Sequence, residues 1–307
     1  MTHRAGAGRS LSTGALARVE GEGAMRVEIR DGRLVDVQLN IYEPPRFFEG
    51  FLRGRGYGEP VDITARICGI CPVAYQLSAC AALEDALAVT VEGHLRDLRT
   101  LLYCGEWIES HTLHIHFLHA PDFLGFDNAV ELAAVDRAVV ERGLEVKKIG
   151  NEILEVIGGR AIHPVNVRLG GFYRVPTERE LAPLRQRLER GLELAVEVVE
   201  LVAGFDFPDQ EMPYEFVAVD HPHEYPMMGS RIISDRGLDI DVCEFGDHIQ
   251  EHQVEHSTAL HARLLERGEY LVGPLARFAL HRAKLSPAAL AAADDAGLSG
   301  TCRNPFR

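Results

Sequence analysis

Long apolar runs are missing from this chain of 307 residues. No stretch approaches the roughly 20 residues a helix needs to cross a bilayer, so the sequence reads as soluble, without a membrane span. The opening MTHRAGAGRSLSTG lacks the apolar centre of a secretory signal and reads as a disordered lead-in over residues 1–15. Basic charge is scarce too. Lysine and arginine number 32 against 46 acidic residues, a formal net charge of −14, which argues against a nucleic-acid surface because phosphate neutralisation needs clustered cations. No glycine-rich phosphate loop follows a strand, so a nucleotide is not expected on this chain. Internal repeats and low-complexity segments are absent. Six cysteines are too few, in a chain this long, for a disulfide scaffold, which points to a reducing, cytoplasmic setting.

What is present has two periods. From Ala24 to Ile41 apolar residues alternate (Val27, Ile29, then Val35, Val37, Leu39, Ile41) around a turn at Asp31-Gly32, the pattern of a β-hairpin with one buried face. After residue 60 the spacing becomes helical. Helices are expected from Pro72 onward, over 94–119, over 127–157, and from Thr177 to Ala203, where Glu180 completes a capping box. Strands are expected near 214–219 and 231–245, then a helix over 247–266. The fold class is mainly α: a bundle of long helices with a small N-terminal β-hairpin or sheet. One domain is expected over 16–307, β-rich over 16–58 and mainly helical over 59–307.

The feature with most chemistry is TARICGICPVAYQ, residues 64–76. Cys68 and Cys71 are spaced i and i+3 before a helix start, which brings both sulfurs to one side. Arg66 and the helix N-terminus both favour thiolate. Thiolates bind soft metals and also attack disulfides, so this pair fits a metal site or a dithiol redox couple. It could also be two small apolar core residues. A redox motif belongs early in a βαβ unit, whereas this one enters a helical bundle. A structural zinc site needs a second ligand pair, and Cys80, Cys104, Cys243 and Cys302 are solitary.

Eight segments, in order, carry a family resemblance. They are RVEGEG (18–23), EPPRFFEGFLRGR (43–55), RICGICPVAYQ (66–76), ESHTLHIHFLHAPDFLG (109–125), GGRAIHPVNVRLGGF (158–172), EHQVEHS (251–257), YLVGPLARF (270–278) and CRNPF (302–306). Together they resemble the large (alpha) subunit of nickel–iron hydrogenases, nearest the cytosolic, bidirectional, NAD(P)-linked branch, from about Leu16 onward. The resemblance implies heterolytic cleavage or formation of H2 at a nickel–iron centre whose iron carries diatomic ligands. Cys68 matches a terminal thiolate on nickel and Cys71 a thiolate bridging nickel and iron. Glu20 matches the carboxylate that relays the proton, and Glu49 the carboxylate that helps hold magnesium. Implied partners are an iron–sulfur small subunit, electron-transfer subunits carrying flavin and NAD(P), and maturation proteins. Tyr75 stands where many relatives have histidine, as it does in the branch named. The family pattern continues past CRNPF to an arginine over the metals, a second C-x-x-C and a final histidine. The chain is therefore expected to be a large subunit lacking its C-terminal part, with half of the thiolate set. Two other readings stay open: a truncated, non-catalytic scaffold, and a dithiol redox protein.

Several histidines look like sites and are not expected to be. Residues 252–256 read H-x-x-E-H, a zinc-peptidase pattern, and His248, His252 and His256 would share one face of the expected helix. His111, His114, His116 and His119 are expected to pack and hydrogen-bond in the core. His163 is expected to brace the turn beside Pro164. Arg168 and Arg277 are open between structural ion pairs and electrostatics near the site.

Overall fold

The computed structural model describes residues 8–43 and 46–306. The chain opens with strands β1 (Arg9–Ser12), β2 (Gly23–Arg30) and β3 (Arg33–Ile41), then the one-turn helices α1 (Phe48–Leu52) and α2 (Pro60–Thr64). Next come α3 (Pro72–Ala86), α4 (Gly93–Leu113), a π-helical segment over His114–His119, α5 (Ala120–Leu124), α6 (Ala129–Val135) and α7 (Arg137–Gly158). The short strands β4 (Val167–Arg168) and β5 (Gly171–Phe172) lead into α8 (Glu178–Ala203). The remainder is β6 (Glu215–Asp220), β7 (Arg231–Ser234), β8 (Asp239–Asp241), α9 (Phe245–His248), β9 (Ile249–His252), β10 (His261–Leu264), β11 (Tyr270–Leu271), α10 (Pro274–His281) and α11 (Pro287–Asp295).

These elements form two compact units. The first takes the chain up to Arg46 with Tyr214–Val217 and Arg231–Val272, and the second takes Phe47–Pro213, Ala218–Ser230 and the chain from Gly273. The β part is thus wider than the expected 16–58, because strands return between Glu215 and Leu271 within the stretch expected to be mainly helical. Residues 1–7 of the expected lead-in lie outside the described residues. Its Arg9–Ser12 part is a strand paired antiparallel to β2, so the ordered chain starts earlier than residue 16.

In the first unit β1, β2 and β3 form one antiparallel sheet. The expected hairpin is present. Asp31 and Gly32 both take positive φ (51° and 73°), the twist that a two-residue hairpin turn requires. Its apolar face is not buried as expected: Val35, Val37 and Leu39 are each about half exposed (52%, 50% and 48%). Alternation sets which side chains share a face; it does not say what covers that face. The buried core of this unit instead gathers Val217, Leu238, Ile240, Ile249 and Leu264.

The second unit is built on α4, α7 and α8, with α3 alongside. Its core includes Val73, Leu77, Cys80, Leu102, Ile153, Leu154 and Ile157. Glycines let α4 and α7 approach closely. A Cβ on Gly150 would stand 2.6 Å from the Glu109 amide nitrogen, and one on Gly105 would stand 2.8 Å from Ile153. Glu84 and Arg99, both buried, pair bidentately at 2.6 and 2.8 Å, and Glu84 also accepts the Gly170 N–H. That network ties α3 and α4 to the β4–β5 turn. The capping box of α8 is present as expected, with Thr177 and Glu180 bonding reciprocally.

Three helical expectations are corrected. The 94–119 segment is α4 followed by a π-helical stretch from His114. The 127–157 segment is broken at Asp136, whose carboxylate accepts the Val139 N–H and starts α7 afresh. An acceptor side chain offers the backbone an alternative to continuing a helix. The helix over 247–266 is absent. In its place β9 and β10 pair antiparallel, His252 opposite His261 and Ile249 opposite Leu264. Between Asp247 and Thr258 only Ile249 and Val254 are apolar, which is too little for a helix face. His248, His252 and His256 therefore do not share one.

Candidate metal centre

Cys68 and Cys71 lie at the seam between a short turn and α3. A 3-10 turn over Ala65–Ile67 ends at Cys68, which is extended (φ −143°, ψ 138°). The chain bends through Gly69 and Ile70, and Cys71 becomes the N-cap of α3 with Pro72 at the first helical position. Proline suits that position because the N–H it lacks has no helical partner there. Both side chains are partly buried, and no disulfide joins them. The Cys71 N–H donates to Cys68 Sγ at 3.1 Å, so one sulfur of the pair is held by the backbone of the other.

The rest of the helix start is used differently from the sequence expectation. The N–H groups of Val73 and Ala74 donate to the two carboxylate oxygens of Glu106, at 2.5 and 3.1 Å. The first-turn donors of α3 thus serve a buried carboxylate from α4 rather than a cysteine sulfur. Burial pushes Glu106 up to about 7, against the pull of those two N–H bonds, and the neighbouring charge of Glu109 adds to the rise. Arg66 is exposed.

A loop from the end of α7 closes over the motif. His163 Nδ1 is 2.7 Å from the Ala65 carbonyl, and the Gln76 amide donates to the Pro164 carbonyl at 2.7 Å. A Cβ on Gly69 would reach Ile162 and His163 at 3.9 and 4.0 Å, so this side of the bend faces that loop. His163 thus contacts the segment just before Cys68, not the turn beside Pro164 where a brace was expected. Sequence reading missed Glu106 and Gln76. The signal for Glu106 was a charged residue on the apolar stripe of α4, at helical spacing from Leu102.

On the same helix Tyr103 and Trp107 pack edge to face, and the Arg277 guanidinium lies over the Trp107 ring at 4.2 Å. Burial raises Tyr103, with the charges of Glu106 and Cys71 contributing and Arg277 opposing. Burial likewise pushes His111 and His116 down to about 4, the charge of Arg277 adding to the first and that of Arg142 to the second. His114 is also lowered by burial, and then by His119. His111 and His116 are therefore neutral packing groups at pH 7. Arg168 stacks on Tyr173 and offers its carbonyl to Arg99, which is a structural use.

The other two expected site residues are placed without partners that define a role. Glu20 is exposed in the bend before β2 and belongs to the β-rich unit, whereas both cysteines belong to the helical one. Glu49 is exposed in the first turn of α1. The donor chemistry of Cys68 and Cys71 suits nickel, since paired sulfurs are soft ligands. Among the described residues no group of three His, Cys, Asp or Glu side chains is placed to hold a metal ion, so the fit extends to two thiolates.

Comparison with known proteins supplies the family. The profile of the nickel-dependent hydrogenases matches residues 46–142, a span that includes both cysteines and Glu106. The alpha subunit of sulfhydrogenase 1 from Pyrococcus furiosus is 34% identical over 264 residues, covering 85% of this chain and 61% of that protein. The alpha subunit of sulfhydrogenase 2 from the same organism is 39% identical over 187 residues, covering 61% and 45%. The chain thus spans about half to three-fifths of these two relatives. A vhu subunit of the F420-non-reducing hydrogenase from Methanocaldococcus jannaschii is 32% identical, covering 85% of this chain and 68% of that one. Among solved structures, an NAD+-reducing [NiFe]-hydrogenase in its H2-reduced state superposes with a TM-score of 0.76 at 27% identity, covering 88% of this chain and 66% of that chain. A Ni-Fe-Se hydrogenase from D. vulgaris Hildenborough shares the fold, with a TM-score of 0.74 at 23% identity. The ordered thiol pair at the start of α3, the profile across it and these relatives agree: the chain belongs to the nickel-dependent hydrogenase large-subunit family.

Proposed function

We propose that this chain forms the catalytic large subunit of a nickel–iron hydrogenase, splitting or forming H2 within a multi-subunit complex. One observation carries the reading: two partly buried cysteines not joined by a disulfide, spaced i and i+3 at a helix start, one sulfur held by the other's N–H, inside the span that the family profile matches. When bound, the nickel–iron centre would supply heterolytic H2 chemistry, which overall parts each H2 into two protons and two electrons. Cys68 and Cys71 would hold it through their sulfurs. Cys68 Sγ would take the proton, because a terminal thiolate keeps a basic lone pair. The Cys71 N–H orients that sulfur. Glu106 and the His163 loop fix the two ends of the bend, so the sulfurs are set before metal arrives. Glu20 would pass the proton outward and Glu49 would help hold magnesium.

Electrons would leave through an iron–sulfur small subunit toward flavin and NAD(P) subunits, in the cytoplasm, with maturation proteins inserting the metals. The similarity to an NAD+-reducing enzyme supports this assignment of acceptor. The test is metal analysis and H2-dependent dye reduction on the complex purified with its native partners. The expected result is one nickel per copy of this chain, and a loss of at least 100-fold on Cys68→Ser. Undiminished activity in that variant overturns the ligand assignment. A reversible Cys68–Cys71 disulfide in a nickel-free complex would instead support a dithiol redox role.

A further inference from the structure

Arg277, on α10, is a cation without a counter-ion among the described residues. Its guanidinium is spread over the face of Trp107 at 4.2 Å. Its Nε is buried with no hydrogen-bond partner. The groups that act on it are the hydroxyls of Tyr225 and Tyr103, and no Asp or Glu among the described residues forms an ion pair with it. The other basic side chain beside it, His111, is held neutral by burial and by Arg277 itself. Two other arginines withdrawn from water have a carboxylate: Arg99 has Glu84, and Arg142 has Glu197 at 2.8 Å. A partly buried guanidinium among aromatic rings is expensive unless an anion meets it, since removal from water is offset only by a well-placed partner.

The aromatic setting also favours one ligand shape. Stacking on an indole fixes the plane of the guanidinium and leaves its edge as the donor surface. That edge matches the two oxygens of a carboxylate, which accept a pair of parallel N–H bonds. Trp107 and His111 also line a largely apolar cavity of about 540 Å3 between α4, α7 and α8, so the corner has free volume beside it.

We infer that the Trp107–Arg277 corner is a carboxylate-recognition site, filled by a carboxylate group from outside the described residues. Two sources share that chemistry: a free small carboxylic acid, and an acidic side chain of another polypeptide segment. The inference does not depend on the hydrogenase reading, since it concerns neither cysteine.

Trp107 is the only tryptophan in the sequence, so its fluorescence reports on this corner alone. The experiment titrates the full-length chain with sodium acetate, with sodium chloride at matched ionic strength as the control, and repeats both on Arg277→Gln and Arg277→Lys. Acetate is expected to produce a saturable change that chloride does not. Arg277→Gln should raise the half-saturating acetate at least tenfold. Arg277→Lys keeps the charge and loses the planar fork, so it should fall between the two. A doubly capped aspartate assigns the source. Half-saturation below that of acetate points to a side chain, and half-saturation above it to a free acid. Equal effects of acetate and chloride, or an Arg277→Lys variant titrating like the parent, would overturn the inference. The lysine variant keeps the test open where the glutamine variant fails to fold.

Discussion

Glu106 is the residue whose surroundings say most about the centre. Its carboxylate closes the first turn of α3, and burial lifts it to about 7 from an ordinary 4.5. The folded state therefore holds a proton on Glu106 more tightly than the unfolded state does. Its contribution to stability is complete below about pH 4.5 and is lost as pH rises through 7. Urea unfolding of the parent and of Glu106→Gln, followed from pH 4.5 to 8, should show this as a difference. The parent should lose stability relative to the variant as pH rises, by on the order of 2–3 kcal/mol across the window. A pH-independent difference would remove Glu106 as the titrating group. Arg99 gives a second expectation. Arg99→Met leaves the Glu84 carboxylate buried beside an apolar side chain, which should cost about 3–5 kcal/mol in the same measurement. Neither residue was legible as a partner in the sequence, because α3 and α4 donate to one another across 15 to 33 positions and spacing carries no sign of that.

At the level of elements, the long helices were readable because their apolar stripes and caps are local. The capping box at Thr177 named the start of α8 to the residue. The breaks were not readable, since an aspartate at 136 is compatible with a helix until its carboxylate finds the Val139 N–H. The α4–α7 packing is testable directly. Gly150→Ala would put a methyl against Glu109 and Gly105 backbone, at 2.6 and 2.7 Å, with no flexible side chain to yield. A loss of about 2–4 kcal/mol is expected, seen as a lower melting temperature, where an ordinary exposed helical Gly→Ala change would raise it. The buried histidines at the end of α4 and in the π-helical segment give an acid counterpart. His111 and His116 are neutral in the fold with values near 4, so their contribution is present above pH 6.5 and lost as pH falls toward 4. His116→Asn should flatten part of that acid slope in a pH series of thermal melts.

Over the whole molecule, the net charge of −14 opposes binding of a polyanion, and no helix among the described residues is long and apolar enough to cross a membrane. At 0.15 M salt the chain should give no mobility shift with duplex DNA up to about 10 μM, where non-specific binders with a basic face already associate. The β-rich unit is assembled from three separate stretches of chain. That is why a linear division at residue 58 missed it: the strands that return near Tyr214 and Arg231 are short, and only their pairing shows where they belong.

The sequence by itself determined the family, through ordered motifs, and the local signals: helix caps, the Asp31-Gly32 turn and a thiol pair at a helix start. These depend on neighbours within a few positions, where spacing dictates geometry. Only the tertiary structure decided that the α3 donors go to Glu106 and that residues 249–264 pair as strands. It also decided that Arg277 stacks on Trp107 and that the apolar face of the β2–β3 hairpin stays exposed. Each of those outcomes is set by which distant group arrives at an unsatisfied donor, ring or face, and sequence order does not record distance in space.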